Sequence, residues 1–315
     1  MLFFLCIALA GALPLDVKAL LKEREEALAE FHDARTSPLA VISRHVFDGE
    51  QPLRIGSDRT NQVMLEGLAP QALEIRARGG SFEVTRDGHN DRAETKAMIE
   101  MGRYGLWLVG RLQPTLLVFD SEAPGLRKGP WPVWFAPDPA TRVEARLVPA
   151  SSPREQIVLT TRGAKRQMLR LGKLEFSLYG RKHSLVAVRS LEPAGNSTIS
   201  IFFRDATTGK ESYAVGRYID AEALGEDRYA LDFNRAYNPT CAFSPFYDCP
   251  IPPKENVLSV PVRAGERDPR HPELLDLRPH ASRGFETDDR REPAGLREEL
   301  SSPIGELRAD ERQLR

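Results

Sequence analysis

"LEIRARGGSFEVTR", residues 73–86, reads as a β-hairpin and nothing else. Leu73, Ile75 and Ala77 alternate with Glu74, Arg76 and Arg78, which is the period-2 pattern of a strand with one face in a core. Gly79-Gly80 supplies the two residues of a tight turn, and Phe82 and Val84 resume the alternation. Working outward, further strands are expected at 52–55, 62–66, 72–78, 81–86, 96–101, 104–111, 115–120 and 142–148, broken by Gly, Asp, Asn and Pro. Beyond 155 the same texture continues in "QIVLTT", "KLEFSLYG", "HSLVAVRS", "TISIFFRD", "SYAVGRYI" and "RYALDFN", with turns at "EPAGNS" (192–197) and "DATTGK" (205–210). Many short strands with regular turns predict a mainly β protein with a sandwich in its first half.

The stretch before the strands differs. In "LDVKALLKEREEALAEFHDAR" (15–35), Leu20, Leu21, Ala27, Leu28 and Phe31 recur at helical spacing, with charges elsewhere. An amphipathic helix is expected over 15–36, packed on a neighbour. The organisation then reads as a leader (1–14), that helix, a β-sandwich half (37–150), a second β-rich domain (151–266) and a tail (267–315). The boundary between the halves is weakly marked by "PASSPRE" at 149–155. The tail holds 10 basic and 12 acidic residues with Phe285 as its one aromatic, and a disordered segment is expected there.

Across 315 residues the net charge is −1, with 44 basic and 45 acidic side chains, so neither nucleic acid nor an anionic membrane is indicated as a partner. The six histidines show no close ligand spacing, no metal site is expected, and no motif names a cofactor. The apolar run Leu2–Leu13 is too short to span a bilayer, which takes about 20 residues. With "ALA" (8–10) or "AGA" (10–12) as a small-residue cleavage site it fits a signal-peptide core and a secreted or periplasmic protein, although no Lys or Arg precedes it. The alternative is an apolar segment packed on a cytoplasmic protein.

The densest chemistry lies in "LDFNRAYNPTCAFSPFYDCPIPPKEN" (231–256), which holds two of the three cysteines. Read as a strand, residues 229–238 send Tyr229, Leu231, Phe233, Arg235 and Tyr237 to one face. Ala230, Asp232, Asn234, Ala236 and Asn238 go to the other. Asp232 and Asn234, roughly 7 Å apart along such a strand, would suit a small polar ligand or a cation. They would equally suit hydrogen bonds to backbone in a turn. Cys241 and Cys249 would form a disulfide in an oxidising compartment, with two free thiols or a metal or redox pair as alternatives. The prolines of "CPIPPKEN" deliver Glu255 and Asn256 to a fixed place, and "VLSVPVRAGE" (257–266) reads as a last strand ending at Glu266. Asp232, Glu255 and Glu266 could then converge, with Arg217 and Arg235 as counter-charges, for acid–base work, for a hard cation or as a buried ion network.

Two resemblances attach to these residues. "LRIGSDRTNQVMLEG" (53–67) resembles the start of a forkhead-associated (FHA) domain, which implies an FHA-like β-sandwich. Ser57 stands where that family has its phosphate-contacting arginine, and Ala69-Pro70-Gln71-Ala72 replaces its Ser-x-x-His, so phosphopeptide binding is not implied. "GRY" (216–218), residues 231–256, "VPVRAGE" (260–266), "FFRDATTGKESY" (202–213) and "FAPDP" (135–139) are similar to the bacterial and archaeal domain of unknown function 1684 (DUF1684). That resemblance covers about 15–266 and implies no particular reaction. It places shared motif residues at Gly216, Arg217, Tyr218, Asp232, Asn234, Tyr237, Asn238, Cys241, Cys249, Glu255, Asn256 and Glu266, and the charged tail departs from it. With no nucleophile elbow or phosphate loop in view, the expectation is an exported binding or structural module. Its polar site would lie around 217–266, with Arg217, Tyr218, Asp232, Asn234, Arg235, Tyr237, Asn238, Glu255, Asn256 and Glu266 as candidates. It would take a small polar ligand or a protein partner. The alternative is a hydrolase using Asp232, Glu255 or Glu266, with or without a divalent cation.

Overall fold

The computed structural model describes residues 12–110, 113–191 and 198–270. The leader up to residue 11 and the tail from 271 lie outside the described residues, as do the whole of the turn at 192–197 and the disorder expected beyond 270. The described residues are mainly β, with one substantial helix among them. Strands are numbered in chain order.

Helix α1 spans Val17–His32 and begins where Asp16 accepts a hydrogen bond from the Ala19 N–H at 3.0 Å. Leu20 is its buried residue, and Phe31 meets Phe243 edge-on at 4.6 Å. No helix among the described residues is long and apolar enough to cross a membrane.

Two sheets follow. One has the order β1 (Val41–Val46), β9 (Thr115–Asp120), β8 (Tyr104–Val109), β7 (Met98–Met101). The other has the order β3 (Val63–Met64), β2 (Leu53–Gly56), β4 (Leu73–Arg78), β5 (Ser81–Arg86), β6 (His89–Glu94). Their inner faces share one core, in which Ile55, Ile75, Phe82 and Val84 of the five-stranded sheet meet Leu106, Leu108, Leu116 and Val118 of the four-stranded one. The hairpin at 73–86 forms as expected, pairing Ile75 with Val84 and Ala77 with Phe82, with positive φ at both Gly79 and Gly80. β9, "TLLVFD", is buried along its whole length. Leu116 and Val118 face the shared core, while Leu117 and Phe119 face a second cluster outside it. β1 and β6 did not stand out in the sequence. β6 reads "HNDRAE" and is almost wholly exposed, because it is the outer strand of its sheet and buries little.

The second half closes into a six-stranded barrel of β10 (Arg142–Leu159), β11 (Lys165–Leu178), β12 (Arg181–Ser190), β13 (Ile199–Phe203), β14 (Arg217–Gly225) and β15 (Arg228–Asp232). Residues 149–155, read above as a weak linker, lie inside β10, where the pairing with β11 shifts register between Pro149 and Arg154. The antiparallel registers put the start of β10 and the end of β15 at one mouth, with the end of β13 and the start of β14. Past the register shift the β10–β11 hairpin packs Val158 and Met168 on Val186, Val188, Phe202 and Tyr218, and Thr160 near its turn bridges Pro250. Residues 257–266 do not add a strand to the barrel. Their alternation is real, but Leu258, Val260, Val262 and Ala264 point into the barrel core, so the segment plugs the first mouth. Its ladder contacts are single bridges, Arg204 to Val257 and Trp134 to Glu266.

Candidate functional site

The strand read at 229–238 stops halfway. After β15 ends at Asp232, residues Phe233–Arg235 form a turn of 3-10 helix. The Asp232 carboxylate causes the break by accepting from the Asn234 N–H at 3.1 Å. Asp232 and Asn234 are therefore not side by side on an open face. Asn234 donates to Asp232, to Thr141 Oγ1 and to the Asp138 carbonyl, and its own Oδ1 accepts from the Asp138 N–H at 2.7 Å. The other Asp232 oxygen takes Arg235 Nη1 and lies 3.5 Å from Arg142 Nε. Arg235 in turn holds Glu23 of α1 through two 2.8 Å bonds.

Around this lies the rest of the plugged mouth. Arg217 is 1% exposed. It pairs with Asp205 at 3.1 Å and donates to the carbonyls of Val262, Ala264 and Glu266. Glu266 accepts from the Asn238 N–H at 2.7 Å, and Asn238 Nδ2 donates to the Arg267 carbonyl. Burial pushes the Glu266 carboxyl up to about pH 7, opposed by the Asn238 bond and by Arg217 and Arg24. Gly265 precedes it at φ +75°, and a Cβ there would sit 2.4 Å from the Ala236 carbonyl oxygen.

The remaining candidates lie elsewhere. Asn256 is buried and ties three segments together, accepting from the Val186 N–H and donating to the Val186 and Phe202 carbonyls. Tyr218 OH donates to the Pro250 carbonyl, and Tyr237 OH reaches Asp220 at 3.4 Å. Glu255 pairs with Arg170 of β11, separate from Asp232 and Glu266, so the three carboxylates do not form one cluster. No group of three or more His, Cys, Asp or Glu suited to a metal occurs among the described residues. Most of the sequence-predicted site is thus a satisfied hydrogen-bond and ion-pair network.

Cys241 and Cys249 are free thiols, not the expected disulfide. The Cys241 N–H donates to Cys249 Sγ at 3.3 Å. Hydrogen bonding from Cys249, then from Tyr213 and Thr161, draws the Cys241 thiol down to about pH 7 against the effect of burial. Its bond to Cys241, together with burial, pushes Cys249 up.

Between the cysteines the chain loops out as a strap beside the β10–β11 turn, where Arg162 takes the Pro245 carbonyl and the Asp248 carboxylate, and Arg166 takes the Asp248 carbonyl. The Thr161 N–H then donates to the Cys249 carbonyl, and the Ile251 N–H to that of Leu159. On the other side of this strap, Phe246 and Tyr247 pack on Ala40, Val41, Leu117 and Phe119, the outer face of the four-stranded sheet. The "SPFYD" inside the motif therefore docks the barrel onto the two-sheet body.

Beside that docking point lies a cleft of about 1110 Å³. Its walls are Arg44, Phe47, Trp107 and Leu117 from the two-sheet body, Lys165, Arg166 and Gln167 from the barrel hairpin, and Phe246, Tyr247 and Asp248 from the strap. Arg78 and Lys96 also line it, and Arg78 is engaged by Glu50 and Glu83. Sequence reasoning missed this place because its walls come from stretches more than a hundred residues apart.

Residues 133–267 match the family described as Protein of unknown function (DUF1684), and the chain belongs to that family through them. The match is narrower than the 15–266 that the motifs suggested. It takes in the barrel, the strap and the plug, and leaves the two-sheet body outside. An uncharacterized protein of Haloarcula marismortui, solved in solution by NMR, is 38% identical, with a TM-score of 0.37. The similarity covers 44% of this chain and 76% of that one. No curated protein matches. An FHA fold for the two-sheet body rests on its sequence resemblance alone.

Proposed function

We propose that the protein is a ligand-binding module whose seat is the cleft between the two-sheet body and the barrel, and that it is exported. The observation that carries the reading is the cleft itself, about 1110 Å³ and walled by both bodies and by the motif strap. Pockets that bury a small molecule run to roughly 300–1,000 Å³ and set a few polar groups among apolar walls. This cleft has that make-up. The plugged mouth does not support binding so well, since nearly every polar group there already has a protein partner. At the mouth Asp232 is held by Arg235 and Arg142, and Glu266 is buried against the Asn238 N–H, an arrangement that favours a structural role over catalysis. The test is a fragment screen on the full chain by protein-observed NMR. Fragments that shift the resonances of Trp107, Tyr247 and Arg166 together carry the reading. Fragments that bind only around Asp232 or Glu266 would overturn it. Export is checked separately, by the N-terminal residue of the protein recovered from a secreting host.

A further inference from the structure

Resting on the cleft as the ligand seat, we infer that its ligand is a small molecule joining an oxyanion, carboxylate or phosphate, to a flat apolar body. The oxyanion would be held between Arg44 and the β10–β11 turn.

Charge is the first support. Arg44 makes no ion pair within 4 Å among the described residues. Burial pulls its guanidinium down, Arg162 pulls the same way, Asp248 opposes them, and Arg166 lowers it again. Arg44 and Arg166 line the cleft with Asp248 as the one carboxylate among the lining residues, and that carboxylate already accepts from the Arg162 N–H at 2.9 Å. Arg166 has one nitrogen on a carbonyl and the rest of its fork open. Lys165 adds a third cation to the same wall. Arg44 is half-buried while Lys165 and Arg166 are exposed, and like charges gathered along one wall repel unless something of opposite sign joins them. An oxyanion does so, and a guanidinium fork matches carboxylate or phosphate with two parallel bonds.

The aromatic wall is the second support. Trp107 is oriented by its Nε1–H on the Lys96 carbonyl at 3.3 Å and by an edge contact with Phe119. Phe246 and Tyr247 stand on the strap beside it. Together these side chains offer a flat apolar surface next to the cations. The two-sheet body supplies Arg44 and Trp107 and the family domain supplies the rest, so neither body alone would hold such a ligand.

The test is calorimetric titration of phenyl phosphate, benzoate, inorganic phosphate and phenol into the full chain at constant ionic strength. It is repeated with Arg44→Gln, with Lys165→Gln, and with Arg181→Gln on the barrel surface away from the cleft. Phenyl phosphate or benzoate should saturate one site, at least tenfold more tightly than phenol or inorganic phosphate. Arg44→Gln should cost that binding tenfold or more, Lys165→Gln should weaken it less, and Arg181→Gln should leave it unchanged. Phenol binding as tightly as phenyl phosphate, with Arg44→Gln silent, would sink the oxyanion and leave the cleft standing. Equal losses in Arg44→Gln and Arg181→Gln would mean unspecific attraction and overturn the inference. Failure of all four probes in the folded wild type would overturn both the inference and the cleft as seat.

Discussion

Two arginines of this molecule stand in opposite settings. In the plugged mouth Arg217 points its donors at Asp205 and at the carbonyls of Val262, Ala264 and Glu266. Near the β10–β11 turn Arg44 shares the wall of a cleft with Lys165 and Arg166, and Asp248 is the one carboxylate among the lining residues. The difference teaches where to look for function in a chain of this kind. A dense patch of polar residues can be architecture, and what marks a binding seat is charge that the fold has left unmatched beside open space.

Substitutions can break that contrast. The largest effect is expected from Arg217→Met, which strands Asp205 without its cation. Removing one partner of a buried pair costs roughly 3–5 kcal/mol, and urea denaturation of the variant should show a loss of that size. Glu266→Gln comes next, through pH. The wild-type carboxyl has its folded value raised to about 7 from an ordinary 4.5. Its contribution to stability is therefore full below about pH 4.5 and is lost as pH rises through 7, a swing of about 3 kcal/mol. The glutamine variant should lack that swing, so the stability difference between variant and wild type should grow in the variant's favour between pH 5 and pH 8. A difference independent of pH would show that the carboxylate is charged in the fold.

Asn256→Ala removes the bonds to Val186 and Phe202 and leaves those groups buried, so a loss of about 2–3 kcal/mol is expected by thermal or chemical melting. At the strap, Cys241 should be alkylated by iodoacetamide at least tenfold faster than Cys249, with a rate that rises through about pH 7. Peptide mapping of the labelled protein reads both. The smallest effect sharpens the contrast from the other side. Arg44→Gln should leave stability within about 0.5 kcal/mol of wild type or raise it slightly, since no protein partner is lost. A loss comparable to that of Arg217→Met would show that Arg44 belongs to the architecture too.

Much of the fold was legible because local chemistry and tertiary need agree there. The Gly79-Gly80 turn and the alternation on either side of it specify a hairpin before any packing is considered. β6 was not legible, since an outer strand with both faces wet carries no apolar pattern. The segment at 257–266 was half legible. Its alternation gave the buried face, but whether such a run pairs in a sheet or fills a barrel mouth depends on partners far away in the chain. Asp232 and Asn234 misled because Asp-x-Asn at a strand end can cap its own backbone, and the bond from the Asn234 N–H shows that it does. The strap was visible as a motif, while its destination was not. Nothing in "SPFYD" says that Phe246 and Tyr247 will meet Leu117 and Phe119.

The polar outer strand has a consequence of its own. A closed barrel leaves few unpaired backbone groups, whereas the two open sheets keep edges, and a second molecule adding to the five-stranded one could start at its outer strand β6. There it would meet His89, Asn90, Asp91, Arg92 and Glu94. Lining up copies of that row would stack like charges and strip water from them, which guards concentrated protein against fibril-like growth.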